Sequence, residues 1–145
     1  MDTILVTGNA GFIGASLSKK LIYKGFRVIG VDNLNNYYSA SLKKDRLKKI
    51  MKYTKNNKGE YKGFAFSIEN IKKLEKLFIE YRPKVVVNLA AQAGVRYSLI
   101  DPHQYVQSNL VGFHNIMFLS KKYDVKNFIY ASSSSVYGGN TNMPF

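Results

Sequence analysis

The chain has 145 residues, 46% of them hydrophobic, with 11 Tyr, 9 Phe and a net charge of +13. That is enough apolar material for one domain with a buried core, and too much for a disordered chain. The absence of cysteine excludes disulfides, cysteine nucleophiles and thiolate metal sites, and His103 and His114 are too few for a metal cluster.

No apolar run reaches the roughly 18 residues of a membrane helix. Met1-Asp2-Thr3 leads straight into a strand-like run without a charged n-region or cleavage site, so the expectation is a cytoplasmic protein with no membrane partner. The positive charge is local. Positions 43 to 62 hold Lys43, Lys44, Arg46, Lys48, Lys49, Lys52, Lys55, Lys58 and Lys62 against Asp45 and Glu60. No aromatic platform for single strands is interleaved with these lysines, which argues against nucleic acid as a partner and for a solvated face.

In chain order, Thr3 to Val6 predicts a strand, and Thr7-Gly8-Asn9-Ala10-Gly11-Phe12-Ile13-Gly14 follows it. The next segment, Ala15 to Lys24, predicts a helix with Leu17 and Leu21 on one face and Gly25 as its cap. A strand–turn–helix of this kind aims free backbone N–H groups and the positive end of a helix dipole at one spot, which suits a pyrophosphate. Gly8 would permit the sharp turn, Gly11 the approach of phosphate to backbone, and Gly14 the packing of helix on strand. Three glycines at this spacing also occur in ordinary turns. The context favours the dinucleotide reading, because Phe26 to Val31 predicts a second strand that ends in Asp32, about 20 positions on. A carboxylate there accepts hydrogen bonds from adenosine ribose hydroxyls and repels a 2′-phosphate, so NAD is expected rather than NADP.

Asn33 to Tyr38 is a polar and aromatic loop. From Leu42 to Tyr53 the residues Leu42, Arg46, Leu47, Ile50, Met51 and Tyr53 stand at helical spacings, which predicts a surface helix with a lysine-covered outer face. Lys62 to Ser67 predicts a third strand. Asn70 to Tyr81 predicts a helix with Ile71, Leu74, Leu77, Phe78 and Tyr81 in one stripe, ended by Arg82-Pro83. Val85 to Ala91 reads as a strand covered on both faces, with the loop Gln92 to Asp101 beyond its carboxyl end. A helix from Pro102 to about Tyr123 follows, with Tyr105, Val106, Leu110, Phe113, Ile116, Met117 and Leu119 mostly toward the sheet. Asn127 to Ala131 is a fifth strand that enters the run Ser132 to Ser135. Strictly alternating strands and helices predict an α/β fold, a doubly wound parallel sheet of order 3-2-1-4-5.

Taken together, Thr7-Gly8-x-x-Gly11-x-x-Gly14, Asp32-Asn33-Leu34, Asn88-Leu89-Ala90-Ala91, Ser108-Asn109 and Ser132 to Gly138 resemble the extended short-chain dehydrogenase/reductases, the NAD-dependent nucleotide-sugar epimerases and dehydratases of the Rossmann fold. Asp32 to Tyr38, Ala91 to Ser98 and Ala131 to Gly138 look most like the UDP-glucuronate 4-epimerases among them. The resemblance runs along essentially all 145 residues and implies a single NAD-binding domain over 1–145. It implies that Gly8, Gly11, Phe12, Ile13 and Gly14 hold the pyrophosphate and that Asp32 and Asn33 hold the adenosine ribose. Ile68 would lie at the adenine, Leu89, Ala90 and Ala91 at the nicotinamide ribose, and Asn109 would brace the neighbouring strand end. Ser133 matches the catalytic Ser/Thr that hydrogen-bonds the sugar's C4 oxygen, and Arg96 would face the UDP-sugar. Ser134 and Ser135 stand on the substrate side, where the dehydratases carry Asp and Glu, so loss of water is disfavoured.

Two departures accompany the resemblance. The family's adenine-contacting Asp is replaced by Ser67, and no Tyr of the chain is followed four positions later by Lys, the pair that supplies the family's base. The remaining strands and the catalytic helix would follow residue 145. The expectation is therefore an NAD-binding portion inactive alone, with a fifth strand left as an edge through which the chain self-associates. The alternatives are a non-catalytic nucleotide-binding or interaction module and, less favoured, a basic nucleic-acid binder.

Overall fold

A computed structural model describes residues 1–144. Its centre is one parallel sheet of strands β1 (Thr3–Thr7), β2 (Arg27–Asp32), β3 (Glu60–Ala65), β4 (Val85–Asn88) and β5 (Asn127–Tyr130), in the order β3-β2-β1-β4-β5. This is the expected order, and it places the switch in winding direction between β1 and β4. Each parallel pairing needs a crossover. The crossovers run through helices α1 (Phe12–Tyr23), α2 (Ala40–Thr54) and α3 (Ile71–Tyr81), and then through a helical run made of α4 (Pro102–Tyr105), a π-helical segment Val106–Gly112 and α5 (Phe113–Lys122).

The period-2 alternation of the strands explains why both sheet faces are apolar. Ile4, Val6, Val28 and Val87 face Ala15 and Ile22 of α1 and Ile50 of α2. Leu5, Ile29, Val31 and Val86 face the other way, onto Leu74, Leu77 and Phe78 of α3 and Ile116 and Leu119 of α5. Buried side chains of this size each contribute about 1.5–3 kcal/mol by leaving water. Ser39 caps α2 by accepting the Leu42 N–H, and Asn70 caps α3 by accepting the Lys73 N–H at 3.0 Å.

Four expectations change in register or extent. The inward stripe of α2 is Lys43, Leu47, Ile50 and Thr54, whereas Leu42, Met51 and Tyr53 are exposed. Two stripes one residue apart both carry apolar residues, and the docking of Ile50 on the sheet selects the one that takes Lys43 inside. The run from Pro102 is helical as expected, but Val106, Leu110 (65% exposed) and Met117 face solvent. The π-helical segment shifts the inward stripe to Gly112, Asn115, Ile116, Leu119 and Ser120. Gly112 is needed there because a Cβ would stand 2.5 Å from Ile68 Cγ1. Finally, β4 ends at Asn88, and Leu89 to Ala91 have left the ladder. In α3, Leu74, Leu77 and Phe78 are buried while Ile71 is exposed.

Among the described residues β5 pairs only with β4 and is an edge strand, with Ile129 54% exposed and Tyr130 half-exposed beside Phe113 and Phe128. Among the described residues no helix is long and apolar enough to cross a membrane.

One half-buried phenol ties β3 to the glycine turn. Tyr61 accepts a hydrogen bond from Asn9 Nδ2 at 2.5 Å. Burial pushes its pKa up to about 12; the Asn9 hydrogen bond opposes the shift and the nearby Asp32 charge adds to it. The folded state therefore holds this proton to higher pH than the unfolded chain does. The associated stability is complete below about pH 10 and is lost as pH rises through about 12, a change on the order of 2 kcal/mol. In urea unfolding across that window the chain is expected to lose this much more stability than Tyr61→Phe. Parallel losses in the two proteins would contradict the assignment.

Candidate functional site

The carboxyl ends of β1 and β4 part at the switch point, and the crevice between them is where open α/β sheets bind ligands. Thr7 at the end of β1 fixes this opening. Its hydroxyl donates to Asn88 Oδ1 at 2.6 Å and accepts the N–H groups of Leu89 at 3.2 Å and Ala90 at 3.1 Å. Gly8 then turns the chain with φ +67°, and its N–H reaches Val31 O at 2.8 Å. A Cβ at Gly14 would stand 2.2 Å from Gly8 O, so only glycine lets α1 begin this close to the strand end. Gly11, the N-cap of α1, offers no side chain to the first turn, which leaves that turn's orphan N–H groups for an anion.

A cavity of about 330 Å³ opens in front of this turn. Gly8, Gly11, Phe12, Ile13, Gly14, Asp32, Asn33, Ile68, Leu89, Ala90 and Ala91 all line it. Asn109 stands behind it, its Oδ1 accepting Gln92 N–H at 2.8 Å and its Nδ2 donating to Gln92 O at 3.0 Å, which braces the loop after β4. The structure does not bring Arg96, Ser133, Ser134 and Ser135 to this wall. Arg96 is exposed on a 3₁₀ turn, Val95–Leu99. Ser133 caps a second 3₁₀ turn, Ser134–Tyr137, by accepting the Ser135 N–H at 3.2 Å, and all three serines are exposed beyond the end of β5. Of the segment following β5, Ala131 lines the cavity.

Asp32 is buried at the end of β2, and its oxygens are partly taken. Oδ2 accepts Ala10 N–H at 3.2 Å, and Oδ1 accepts Leu34 N–H at 2.8 Å and lies 3.4 Å from Lys43 Nζ. A carboxylate has about four acceptor positions, so Oδ2 keeps capacity for a hydroxyl donor. Lys43 is the residue that sequence reasoning missed. It is only 7% exposed, and its ammonium donates to Asn35 Oδ1 at 2.8 Å while pairing with Asp32. A neighbour on α2, Arg46, reaches Ala10 O at 3.3 Å and sits over the Phe12 ring. These two cations of the basic segment therefore serve the glycine turn. The available signal was their spacing of three on a helix that follows the Asp32 loop.

Tyr37 and Tyr38 also line the cavity, and the Tyr37 ring lies 4.9 Å from that of Tyr97. Tyr105 OH hydrogen-bonds the Gly94 carbonyl. The Tyr37–Tyr97 contact joins the loop after β2 to the loop after β4 across the crevice. Among the described residues no group of three His, Asp or Glu is placed to hold a metal ion.

The arrangement fits a dinucleotide on its own geometry: glycines where a Cβ would fill the turn, free N–H groups for an anion, and a buried carboxylate with an open acceptor position beside them. Comparison with known proteins agrees with this architecture. Protein CapI of Staphylococcus aureus is 55% identical over 145 residues, covering 98% of this chain and 41% of its own. A UDP-glucuronate 4-epimerase of Thermodesulfobacterium geofontis is 42% identical over 139 residues, covering 96% and 42%. The crystal structure of UDP-glucose 4-epimerase from Bifidobacterium longum, a complex with NAD+ and UDP, superposes with a TM-score of 0.83 at 30% identity, covering 99% of this chain and 40% of that one. The chain thus spans about two fifths of the length of these relatives. Residues 5–145 match the family described as GDP-mannose 4,6 dehydratase. With the switch-point crevice, the glycine turn and this match in hand, the chain belongs to the GDP-mannose 4,6 dehydratase family, a group of NAD-dependent epimerases and dehydratases within the extended short-chain dehydrogenase/reductases.

Proposed function

We propose that residues 1–145 are the NAD-binding portion of a nucleotide-sugar 4-epimerase of the UDP-glucuronate type. The observation that carries this reading is the convergence of Gly8 to Gly14, buried Asp32 and Leu89 to Ala91 on one cavity at the switch point. The likeness to UDP-sugar 4-epimerases supports the substrate class. NAD, when bound, supplies the acceptor and later the donor of hydride at the sugar's C4.

The chain's own residues have separable tasks in this reading. The first turn of α1 holds the pyrophosphate by its N–H groups and dipole. Asp32 and Asn33 hold the adenosine ribose, and Leu89, Ala90 and Ala91 shape the nicotinamide end. Ser133 holds the C4 hydroxyl of the sugar, with Arg96, Ser134 and Ser135 on the substrate side. Two neutral serines offer no carboxylic acid to protonate a leaving hydroxyl, so epimerisation is favoured over dehydration. A base to take the C4 proton is not among these residues, and the 145 residues are inactive alone.

A second reading, a non-catalytic nucleotide-binding module, is favoured by the exposure of Ser133 to Ser135 outside the cavity. Both readings require nucleotide binding, and a titration tests that directly. In calorimetry NAD is expected to bind at least about tenfold more tightly than NADP, and Asp32→Ala to lose about tenfold or more of the NAD affinity, the worth of a hydrogen bond to a charged acceptor. No conversion of UDP-glucuronate is expected in the same samples. NADP binding equal to NAD binding, or an unaltered Asp32→Ala variant, would contradict the assignment of Asp32. Turnover by the chain alone would contradict its inactivity.

A further inference from the structure

The two loops that flank the crevice touch each other across it. In the sheet order the end of β1 lies between the ends of β2 and β4, so a contact between the loop after β2 and the loop after β4 has to span the glycine turn that follows β1. The rings of Tyr37, on the first loop, and Tyr97, on the second, make that contact with centroids 4.9 Å apart. Both side chains are half-buried. Tyr37 lines the cavity, and Tyr97 stands outside its wall on the 3₁₀ turn Val95–Leu99.

Each foot of this span is pinned. Two residues before Tyr37, Asn35 Oδ1 accepts Lys43 Nζ at 2.8 Å, and the Tyr38 ring packs edge-on against Tyr37 with centroids 4.7 Å apart. On the other side the Tyr105 hydroxyl donates to the Gly94 carbonyl, and Asn109 holds Gln92 through both its oxygen and its nitrogen. Gly94 has φ +87°, and a Cβ there would collide with the Tyr37 hydroxyl, so the second loop reaches Tyr37 only because this position is glycine. Between two pinned feet the ring contact is the weak joint. An aromatic pair favours the joined state over the parted one by only about two- to tenfold.

We propose that Tyr37 and Tyr97 form a gate over the middle of the crevice, which a dinucleotide opens on its way in and again on its way out. The proposal rests on the reading of this cavity as an NAD site and adds control of exchange to it. A dinucleotide with one end at Asp32 and the other at Leu89 to Ala91 has its pyrophosphate on the glycine turn beneath the joint. Tyr97 holds Tyr37 rather than the ligand. An equilibrium between joined and parted rings that the ligand does not bias slows entry and exit by the same factor and leaves affinity unchanged.

The test is stopped-flow mixing of the chain with NADH, read by NADH fluorescence, which gives the association and dissociation rate constants of wild type, Tyr97→Ala, Tyr97→Phe and Gly94→Ala. For Tyr97→Ala both constants are expected to rise together by about threefold or more, with Kd within about twofold of wild type. Tyr97→Phe keeps the ring and is expected to keep the wild-type rates. Gly94→Ala drives Tyr37 off its partner without touching either ring and is expected to raise both constants as Tyr97→Ala does. Dissociation that quickens alone in Tyr97→Ala, with affinity lost in proportion, would make Tyr97 a ligand contact and overturn the gate, and unchanged rates in both alanine variants would overturn it as well. Either result leaves the NAD reading standing. Absence of NADH binding by wild type overturns that reading and this proposal with it.

Discussion

Gly8→Ala is expected to destabilise the chain by about 3 kcal/mol and to close the crevice to a dinucleotide. Two separate costs reach that figure. At φ +67° an L-residue is strained by about 1–2 kcal/mol. The new Cβ would also lie 2.8 Å from Ala90 N and from Leu89 C and O, all backbone atoms held against β1 by Thr7. Overlap of that kind costs about 1–3 kcal/mol because the strand ends must part to relieve it. Gly25 separates the two terms. It has φ +86°, and a Cβ there would meet nothing within 4 Å, so Gly25→Ala is expected to cost about 1 kcal/mol, the strain alone. Urea unfolding of both variants checks the comparison, and equal losses would contradict the packing argument.

Lys43→Met is expected to cost about 3 kcal/mol, far more than any other lysine of the basic segment. Lys43 and Asp32 are both under a tenth exposed. Removing one partner leaves the other charge buried and uncompensated, which costs about 3–5 kcal/mol. The lower end applies because Asp32 keeps the N–H groups of Ala10 and Leu34 as donors. A neighbour such as Lys44 is exposed, and Lys44→Ala is expected to change stability by no more than about 0.5 kcal/mol. The double variant Asp32→Asn with Lys43→Met, which buries no charge, is expected to recover much of the loss. Urea unfolding reads all three. A Lys43→Met variant as stable as Lys44→Ala would show that the pair contributes nothing.

The contrast between these two residues explains how much was legible in the sequence. Gly8 was legible because the turn is local: strand, glycines, helix and Asp32 fall within about 30 consecutive residues, and β-branched residues mark β1, β2 and β4. The sheet order followed from alternation and the right-handed crossover. Lys43 was not legible, because lysines occupy both sides of α2 and two apolar stripes compete. Only the sheet's position, with Ile50 against Val28 and its neighbours, chooses between them. The same holds for the helix after Pro102. Polar Asn115 and Ser120 face inward there while Leu110 faces solvent, because Asn115 holds the Ile68 and Glu69 carbonyls and the π-helical segment rotates the apolar pattern.

The crevice is expected to hold NAD along the line from the glycine turn to Asp32, and a crystal structure of the chain grown with NAD tests this without intermediates. The pyrophosphate is expected against the first turn of α1, with ribose hydroxyls at Asp32 Oδ2. A dinucleotide bound elsewhere on the chain, or a crevice free of it at saturating concentration, would contradict this placement.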